Sequence, residues 1–290
     1  MFDVIIPIYN VEESLLKRCF DSVKEQTFDS YQVWVCDGKP SDENKSLVES
    51  YGFNYLEQQP EFNRVGGARN QAIQQGNQPY IAFLDGDDWW YDYHLKEMAK
   101  EIEKSDSFTA VWSAVCDTHY RLESLKTGEI YEMERLYGHY GNTEFLERNP
   151  AYSYYWFFGH PPAPTTTCVE RDAFEKVNGF DDRFSILEDT ECWMRIVGDP
   201  RKNEGRRGYV PVPMISGYHF IGENNTTNRG SQTPAFEEGI EKIFSLNSDL
   251  FLEKHPHPIE TDKPDDMSKA DWRFIMETSK GVNRTQIFNI

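Results

Sequence analysis

The sequence predicts an α/β fold in which an open, mostly parallel sheet is flanked by helices. Apolar runs alternate with helical patterns through the first hundred residues, as expected for strands joined by helical crossovers. The run Ile81-Ala82-Phe83-Leu84 has the continuous apolar character of a strand buried on both faces, and it leads directly into Asp85-Gly86-Asp87-Asp88. This junction therefore places three carboxylates at the carboxyl edge of the sheet, where open α/β sheets bind their ligands.

The other elements follow from the same patterns. Strands are predicted at residues 4–9, 31–36, 53–56, 81–84, 109–115, 165–169 and 214–220. Asn10 and Ser41 have the residue type and position of helix N-caps, and Asn178-Gly179 of a helix end. A hairpin is expected around residues 126–128, a basic loop at 200–208, and helices joined by polar linkers after residue 233.

Composition narrows the class of protein. The 290 residues carry a net charge of −19, which argues against a general attraction to phosphate backbones or anionic membranes. The five cysteines are odd in number and lack Cys-x-x-Cys spacing, as in reduced proteins without a zinc site. No apolar run reaches the length of a membrane span, and a strand starting at Phe2 leaves no room for a signal peptide. We therefore expect a soluble, cytoplasmic protein.

The Asp-rich junction has two interpretations. Three adjacent anions repel one another unless a cation or hydrogen-bond donors compensate them. Carboxylate oxygens suit Mg²⁺ or Mn²⁺, which keep waters and substrate phosphates in their remaining positions. The alternative is a plain turn, because Asp-Gly often ends strands and Asp caps helices.

Further motifs recur at the predicted strand ends. Five of them follow in order: Pro7-Ile8-Tyr9-Asn10, Asp37-Gly38, Gly67-Ala68-Arg69-Asn70, Asp85-Gly86-Asp87-Asp88, and Asn178-Gly179-Phe180-Asp181 with Glu188-Asp189. Together they resemble the family-two glycosyltransferases of the GT-A (Rossmann-like) fold, which transfer sugars from nucleotide-diphosphate donors. The resemblance implies a catalytic domain over 1–225, with a nucleotide-binding half at 1–105 and an acceptor-binding half at 106–225. We expect residues 226–290 to form a helical C-terminal appendage.

The resemblance assigns the donor-binding residues, which are Pro7, Tyr9, Glu12, Asp37, Arg69, Asp85 and Gly86. Pro7, Tyr9 and Glu12 would lie by the base and ribose, and Asp37 would accept from an imide N–H such as that of uracil. Here Cys36 replaces the first Asp of the family's Asp-Asp-Gly-Ser, and Lys39-Pro40 separates Gly38 from Ser41. A UDP-sugar is the expected donor, and a plain Asp-Gly turn is the alternative interpretation of Asp37.

The same resemblance implies a Mn²⁺ or Mg²⁺ site. Asp87 would bind the metal, with Asp85 in its shell and His219 nearby, and Arg69 would offset the repulsion between the two carboxylates. The alternative for His219 is a core residue, which is the more common role of a histidine beside aromatic residues. The alternative for Arg69 is a solvated arginine on the helix surface.

Glu188-Asp189 matches the family's catalytic acid pair. Asp189 would be the general base for the acceptor hydroxyl, with Glu188 beside it, and a base opposite the leaving group implies inversion. Acids in a first helical turn are, however, favoured by the macrodipole alone.

The acceptor is expected to be a saccharide or another hydroxyl compound. Tyr154, Tyr155, Trp156 and Trp193 are candidates for a stacking platform, and Arg206 and Arg207 for anion binding, with core packing and a solvated loop as the alternatives. The same features would suit a hydroxymethylated base of modified DNA, although the net charge opposes this.

Other protein classes fit less well. A further hypothesis is a non-catalytic nucleotide-sugar-binding protein, but such a protein would not need Asp189. The acidic turn Asn10-Val11-Glu12-Glu13 lacks the glycine-rich phosphate loop that a nucleotidyltransferase or a Rossmann dehydrogenase requires after its first strand. No oligomeric state follows from the sequence.

Overall fold

The computed structural model describes residues 1–105, 109–123, 130–137, 162–197 and 208–221, together with 238–239, 242–243 and 245–246. Within these ranges the strands are β1 (Phe2–Ile8), β2 (Tyr31–Asp37), β3 (Asn54–Glu57), β4 (Tyr80–Phe83), β5 (Trp89–Trp90), β6 (Thr109–Glu123), β7 (Ile130–Tyr137), β8 (Thr167–Glu170) and β9 (Gly208–Ile221). The helices are α1 (Glu13–Lys24), α2 (Asp42–Ser50), α3 (Arg64–Gln75), α4 (His94–Lys104), α5 (Arg171–Lys176) and α6 (Glu188–Val197), with a 3₁₀ turn at Pro164–Thr166.

The strands form one sheet in the order β3-β2-β1-β4-β8-β6-β9-β5, and β7 pairs with β6. The pairings β3-β2, β2-β1, β1-β4 and β6-β9 are parallel. The strands β8, β5 and β7 pair antiparallel with their neighbours. The prediction of a mostly parallel sheet flanked by helices is confirmed, and so is the hairpin, since β6 and β7 pair directly across residues 124–129.

The core lies on both faces of the sheet. In β1, Val4, Ile6 and Ile8 pack into one apolar cluster with α1 and α4. Ile5 packs on the opposite face, in a cluster with α3, α5 and α6. Because both faces are covered, successive strand residues are all apolar, which explains the continuous runs in the sequence.

Two predicted helix boundaries are confirmed and one is wrong. Ser41 caps α2, and its side chain accepts from the backbone N–H of Asn44 at 3.1 Å. Gly179 has φ 68° and donates to the carbonyl of Phe174 at 3.1 Å, which ends α5 as predicted. Asn10 does not cap α1, whose N-cap is Glu12. Asn10 instead turns the chain in a left-handed conformation (φ 53°), which Asn tolerates better than most residues.

A buried ion pair joins the first strand to α5. Asp3, which is fully buried, accepts from Arg171 Nη2 at 2.6 Å and from Trp34 Nε1 at 3.1 Å. Gly76 leaves room for it, since a Cβ there would lie 2.2 Å from an Asp3 oxygen.

The C-terminal part is described only in pieces. Residues 238–239, 242–243 and 245–246 have helical backbone, and the rest of the predicted 226–290 appendage lies outside the described residues. No helix within the described ranges combines the length and apolar character needed to cross a bilayer.

Candidate active site

Arg69 joins the Asp-rich junction to the acid pair of α6. Its Nη2 lies 2.6 Å from Asp85 Oδ1 and its Nη1 lies 2.6 Å from Glu188 Oε1. The guanidinium is only 3% exposed, and it sits 5.5 Å from the ring centroid of Phe180. Burial alone would lower the pKa of Arg69, but the two carboxylates raise it above its usual range. Two motifs separated by more than a hundred residues thus form one site.

Helix α3, which carries Arg69, can approach α6 closely because Gly66 in its first turn has no side chain. A Cβ on Gly66 would lie 3.1 Å from Phe180 Cβ and 3.2 Å from Glu188 Cγ. Asn70, one residue after Arg69, donates to the carbonyl of Phe180 at 2.8 Å and accepts from its N–H at 3.0 Å. The motifs around residues 67–70 and 178–181 therefore hold each other in place.

The three carboxylates of the junction have different surroundings. Asp85 pairs with Arg69. Asp88 is fully buried and accepts from the N–H of Phe220 at 2.8 Å and from the hydroxyl of Thr165. Asp87 has no side-chain partner in the part of the chain that is described, and burial followed by repulsion from Asp88 and Asp85 raises its pKa to about 7. Of the three, Asp87 is therefore the carboxylate without a side-chain hydrogen bond or ion pair among the described residues, and the nearby charge of His219 opposes its pKa shift only in part.

His219 lies beside the junction, as predicted. Its Nδ1 is 3.0 Å from Asp88 Oδ2. Burial disfavours the imidazolium, but the ion pair with Asp88 outweighs it and raises the pKa of His219 to about 9. Through this contact and the Phe220 N–H, Asp88 ties the Asp-rich turn to β9.

Asp189 follows Glu188 at the start of α6 and is partly exposed. Its Oδ1 accepts from the N–H of Thr190 at 2.6 Å. Burial and the neighbouring Glu188 raise the pKa of Asp189 to about 7, although Arg69 opposes the shift. A carboxyl group with this pKa is about half ionised at neutral pH, and its carboxylate form is basic enough to accept a proton.

At the other end of the site, Asp37 is buried beneath the loop after β2. Its Oδ1 accepts from the N–H of Lys39 at 2.8 Å, and its Oδ2 from Asn44 Nδ2 at 2.8 Å and from the Tyr55 hydroxyl at 3.1 Å. Lys39 Nζ reaches across to Asn10 Oδ1 at 2.7 Å. The contacts of Asn44 and Tyr55 with Asp37 could not be predicted from the sequence, because neither residue belongs to a recognisable motif.

The remaining donor-site predictions lie around the same edge. Tyr9 is 71% exposed and packs against Gly38, whose Cβ position would lie 3.1 Å from the Tyr9 ring. Pro7 is buried within β1, and Glu12 is exposed at the N-cap of α1. A Cβ on Gly86 would lie 2.6 Å from Ile8 Cγ2, so glycine lets the Asp-rich turn rest on the end of β1.

The predicted acceptor residues are mostly outside the described residues, namely Tyr154, Tyr155, Trp156, Arg206 and Arg207. Trp193 is fully buried, between Phe83 and Phe180 at ring distances of 5.3 and 5.5 Å. Of the two alternatives for Trp193, core packing is therefore confirmed and the stacking platform is not, because the apolar face of α6 that carries it packs onto the sheet.

The fold and the site define an α/β protein with a cluster of acidic side chains at the carboxyl edge of its parallel strands. A sequence model described as "Glycosyl transferase family 2" matches residues 3–160, more than half of the chain. The chain belongs to this family, which confirms the predicted family.

Curated relatives are similar over the first part of the chain. The amylovoran biosynthesis glycosyltransferase AmsB of Erwinia amylovora is 32% identical over 110 residues, covering 36% of this chain and 36% of the relative. The glucosyltransferase WfgD of Escherichia coli, named for UDP-Glc and a GlcNAc-diphosphoundecaprenol acceptor, is 32% identical over 108 residues, covering 37% and 42%. Each match therefore spans less than half of the relative.

Solved structures share the fold over most of the chain. S. aureus TarS 1–349 in complex with UDP-GlcNAc has a TM-score of 0.61 at 18% identity, covering 98% of this chain and 74% of that one. The mannosyltransferase PcManGT from Pyrobaculum calidifontis, in complex with GDP-Man and Mn²⁺, has a TM-score of 0.55 at 16% identity, covering 87% and 70%. The GT-A fold is confirmed.

Proposed function

We propose that this protein is a metal-dependent, inverting glycosyltransferase that moves a sugar from a UDP-sugar to an acceptor hydroxyl. The observation that carries the proposal is the bridge from Asp85 through Arg69 to Glu188, at 2.6 Å on each side. It places the carboxylates expected to hold the donor next to the acid pair expected to perform the transfer.

The donor would lie across the ends of three parallel strands. Asp37 ends β2 and Asp85 follows β4, and β1 lies between these strands. Two strand spacings amount to roughly 10 Å, about the span from a nucleobase to its diphosphate. The exposed ring of Tyr9 follows β1 between them, where a base or ribose would contact it. The complexes of TarS with UDP-GlcNAc and of PcManGT with GDP-Man support a donor of this class.

The junction fits a divalent metal bound together with the donor. Among the described residues, no three His, Cys, Asp or Glu side chains are grouped to hold an ion by themselves. Asp87 without a side-chain partner and the second oxygen of Asp85 would supply two hard ligands, and the donor phosphates and waters the rest. Mn²⁺ or Mg²⁺ held there would offset the charge that develops on the leaving diphosphate. The Mn²⁺ complex of PcManGT supports this assignment.

The chemical step is a substitution at the anomeric carbon. Asp189 accepts the proton of the acceptor hydroxyl while the new carbon–oxygen bond forms and the bond to the diphosphate breaks, its electron pair leaving with UDP. Attack from the face opposite UDP inverts the anomeric centre. The pKa of Asp189, about 7, supports the general-base role, and Glu188 is held beside it by Arg69.

Donor binding is tested by thermal unfolding with UDP, GDP, dTDP and CDP, each with and without Mn²⁺. A ligand at about a hundred times its Kd stabilises by about 2.7 kcal/mol, and we expect UDP with Mn²⁺ to do so. Asp87→Ala should abolish the metal-dependent part, whereas Asp172→Ala, at an exposed carboxylate of α5, should not. If no nucleotide stabilised the wild type, the proposal would be wrong.

Catalysis is tested separately, because only a transfer assay distinguishes an enzyme from a non-catalytic nucleotide-sugar-binding protein. UDP release from UDP-glucose or UDP-N-acetylglucosamine reports transfer to water when no acceptor is supplied. Binding without any release from either donor, even with a panel of saccharide acceptors, would favour the non-catalytic alternative.

A further inference from the structure

A C-terminal segment packs on the loop that leads into the acid pair. We define the C-terminal segment as the described residues between 238 and 246, and the base loop as residues 183–187, directly before Glu188-Asp189. The base loop does not contact the carboxylates of the Asp-rich junction in any hydrogen bond or ion pair of the described residues. Arg69 bridges Asp85 and Glu188, whereas the base loop before Glu188 is contacted by the C-terminal segment.

Three residues of the C-terminal segment make the contact. Lys242 Nζ donates to the carbonyl of Arg183 at 2.7 Å and lies 5.4 Å from the ring centroid of Phe184. Ile243 is 1% exposed and belongs to the same core cluster as Phe184. A Cβ on Gly239 would lie 3.2 Å from Leu187 Cδ1, so glycine lets the segment approach the end of the loop.

The base loop needs such support because of its backbone. Leu187 has φ 66°, a strained conformation for a non-glycine residue that persists only where the surroundings impose it. The carbonyl of Leu187 accepts the N–H of Glu191 at 3.0 Å, in the first turn of α6. The conformation of Leu187 therefore sets the direction in which α6 starts, and with it the position of Asp189.

We propose that Gly239, Lys242 and Ile243 are positioning residues that hold the base loop, and through it Asp189, in the orientation that accepts the acceptor proton. The inference rests on the proposed function for the role of Asp189. The contact itself stands on the geometry of the loop. Since the segment touches this loop and not the donor carboxylates, its loss should lower kcat and leave donor binding unchanged.

The kinetic test uses the full 290-residue chain and UDP release from UDP-glucose with Mn²⁺. Lys242→Met keeps the aliphatic stem but removes the donor to Arg183, and we expect kcat to fall roughly ten- to hundredfold with KM within about twofold, because small misplacements of a catalytic group have effects of this size. Lys242→Arg, which can still donate to the carbonyl, should restore most of the rate. Ser245→Ala, on the exposed side of the same segment, is the matched control and should behave as wild type.

Hydrogen–deuterium exchange provides a readout that does not depend on activity. In Lys242→Met and Ile243→Ala, amides of residues 184–191 should exchange at least about tenfold faster than in wild type, while those of β1 stay protected. Unchanged exchange at the loop, or a fall in donor binding equal to the fall in kcat, would overturn the inference. If the wild type released UDP from no donor, the proposed function would fail, and exchange at the loop alone would decide whether the segment holds it.

Discussion

Replacement of Arg69 by Met tests the central feature of the site. The substitution removes both ion pairs at once and leaves a side chain of similar length. Glu188, with its side chain 8% exposed, would then be a buried charge without its cation, and Asp85, 26% exposed, would lose its partner at the surface of the site.

The expected loss of stability follows from this burial. Breaking a buried ion pair from one side costs about 3–5 kcal/mol, because the remaining charge stays buried and unpaired. The pair with Asp85 adds less, since water screens a partly exposed carboxylate. We therefore expect Arg69→Met to lower the free energy of unfolding by about 3–5 kcal/mol, a large part of the roughly 5–15 kcal/mol typical of folded domains.

Urea unfolding at pH 8, followed by tryptophan fluorescence, measures this loss. Arg69→Met/Glu188→Gln should recover more than half of it, since the double variant no longer buries the unpaired carboxylate. Lys17→Met removes an exposed pair, with side chains 49% and 71% exposed, and should change stability by less than about 0.5 kcal/mol. A loss below about 1 kcal/mol for Arg69→Met, or no recovery in the double variant, would refute the reasoning.

Three further predictions concern other parts of the molecule. Asp189→Asn should lower UDP release at pH 8 by about a hundredfold or more, and the wild-type rate should rise with pH through about 7 as the base ionises. Because folding raises the pKa of Asp189, the wild type loses stability as the pH rises from about 4, where the carboxyl group ionises in the unfolded chain, to about 7, where it ionises in the fold. Urea unfolding should therefore show the Asn variant more stable than wild type at pH 8 and equal to it below about pH 4. Lys39→Met removes the cation that contacts Asn10, where we propose that the base binds, so titration calorimetry should show UDP and uridine both binding several-fold more weakly. Equal affinities would exclude a role for Lys39. Arg171→Met leaves the buried Asp3 unpaired and should cost about 3–5 kcal/mol in urea unfolding without changing the KM of the donor, and a change in KM would show that this pair acts on the site.

The site residues that could be predicted from the sequence belong to short continuous motifs. Each strand-end motif combines an apolar run with polar residues, and the parallel arrangement brings those ends to one edge. This is why the position of Asp37, Asp85 and Tyr9 at this edge of the sheet could be predicted from the sequence. Their order along the chain, rather than any single motif, carried the resemblance that the family match confirms.

The unpredictable part depends on contacts between distant residues. Asn44 and Tyr55 reach Asp37 only because α2 follows the end of β2 and β3 pairs with β2 in the sheet. Asn10 has the residue type of an N-cap, but the chain needs a left-handed turn at that point, so the helix starts later. Residue type alone could not decide between a stacking role and core packing for Trp193, because only its position on α6 buries it.

The Asp-rich junction shows how tertiary structure gives different roles to identical residues. Asp85 is neutralised by Arg69 from α3, and Asp88 by His219 and the Phe220 N–H from β9. These donors account for two of the three charges, and within the described residues none of them forms a hydrogen bond or ion pair with Asp87, although the charge of His219 lowers the pKa of Asp87. Since a partly buried carboxylate is costly without a hydrogen-bond or ion-pair partner, Asp87 is the carboxylate at which we propose that a divalent cation binds. The interpretation of this stretch as a plain turn explains Asp88, but not why a second acid stands unpaired beside it.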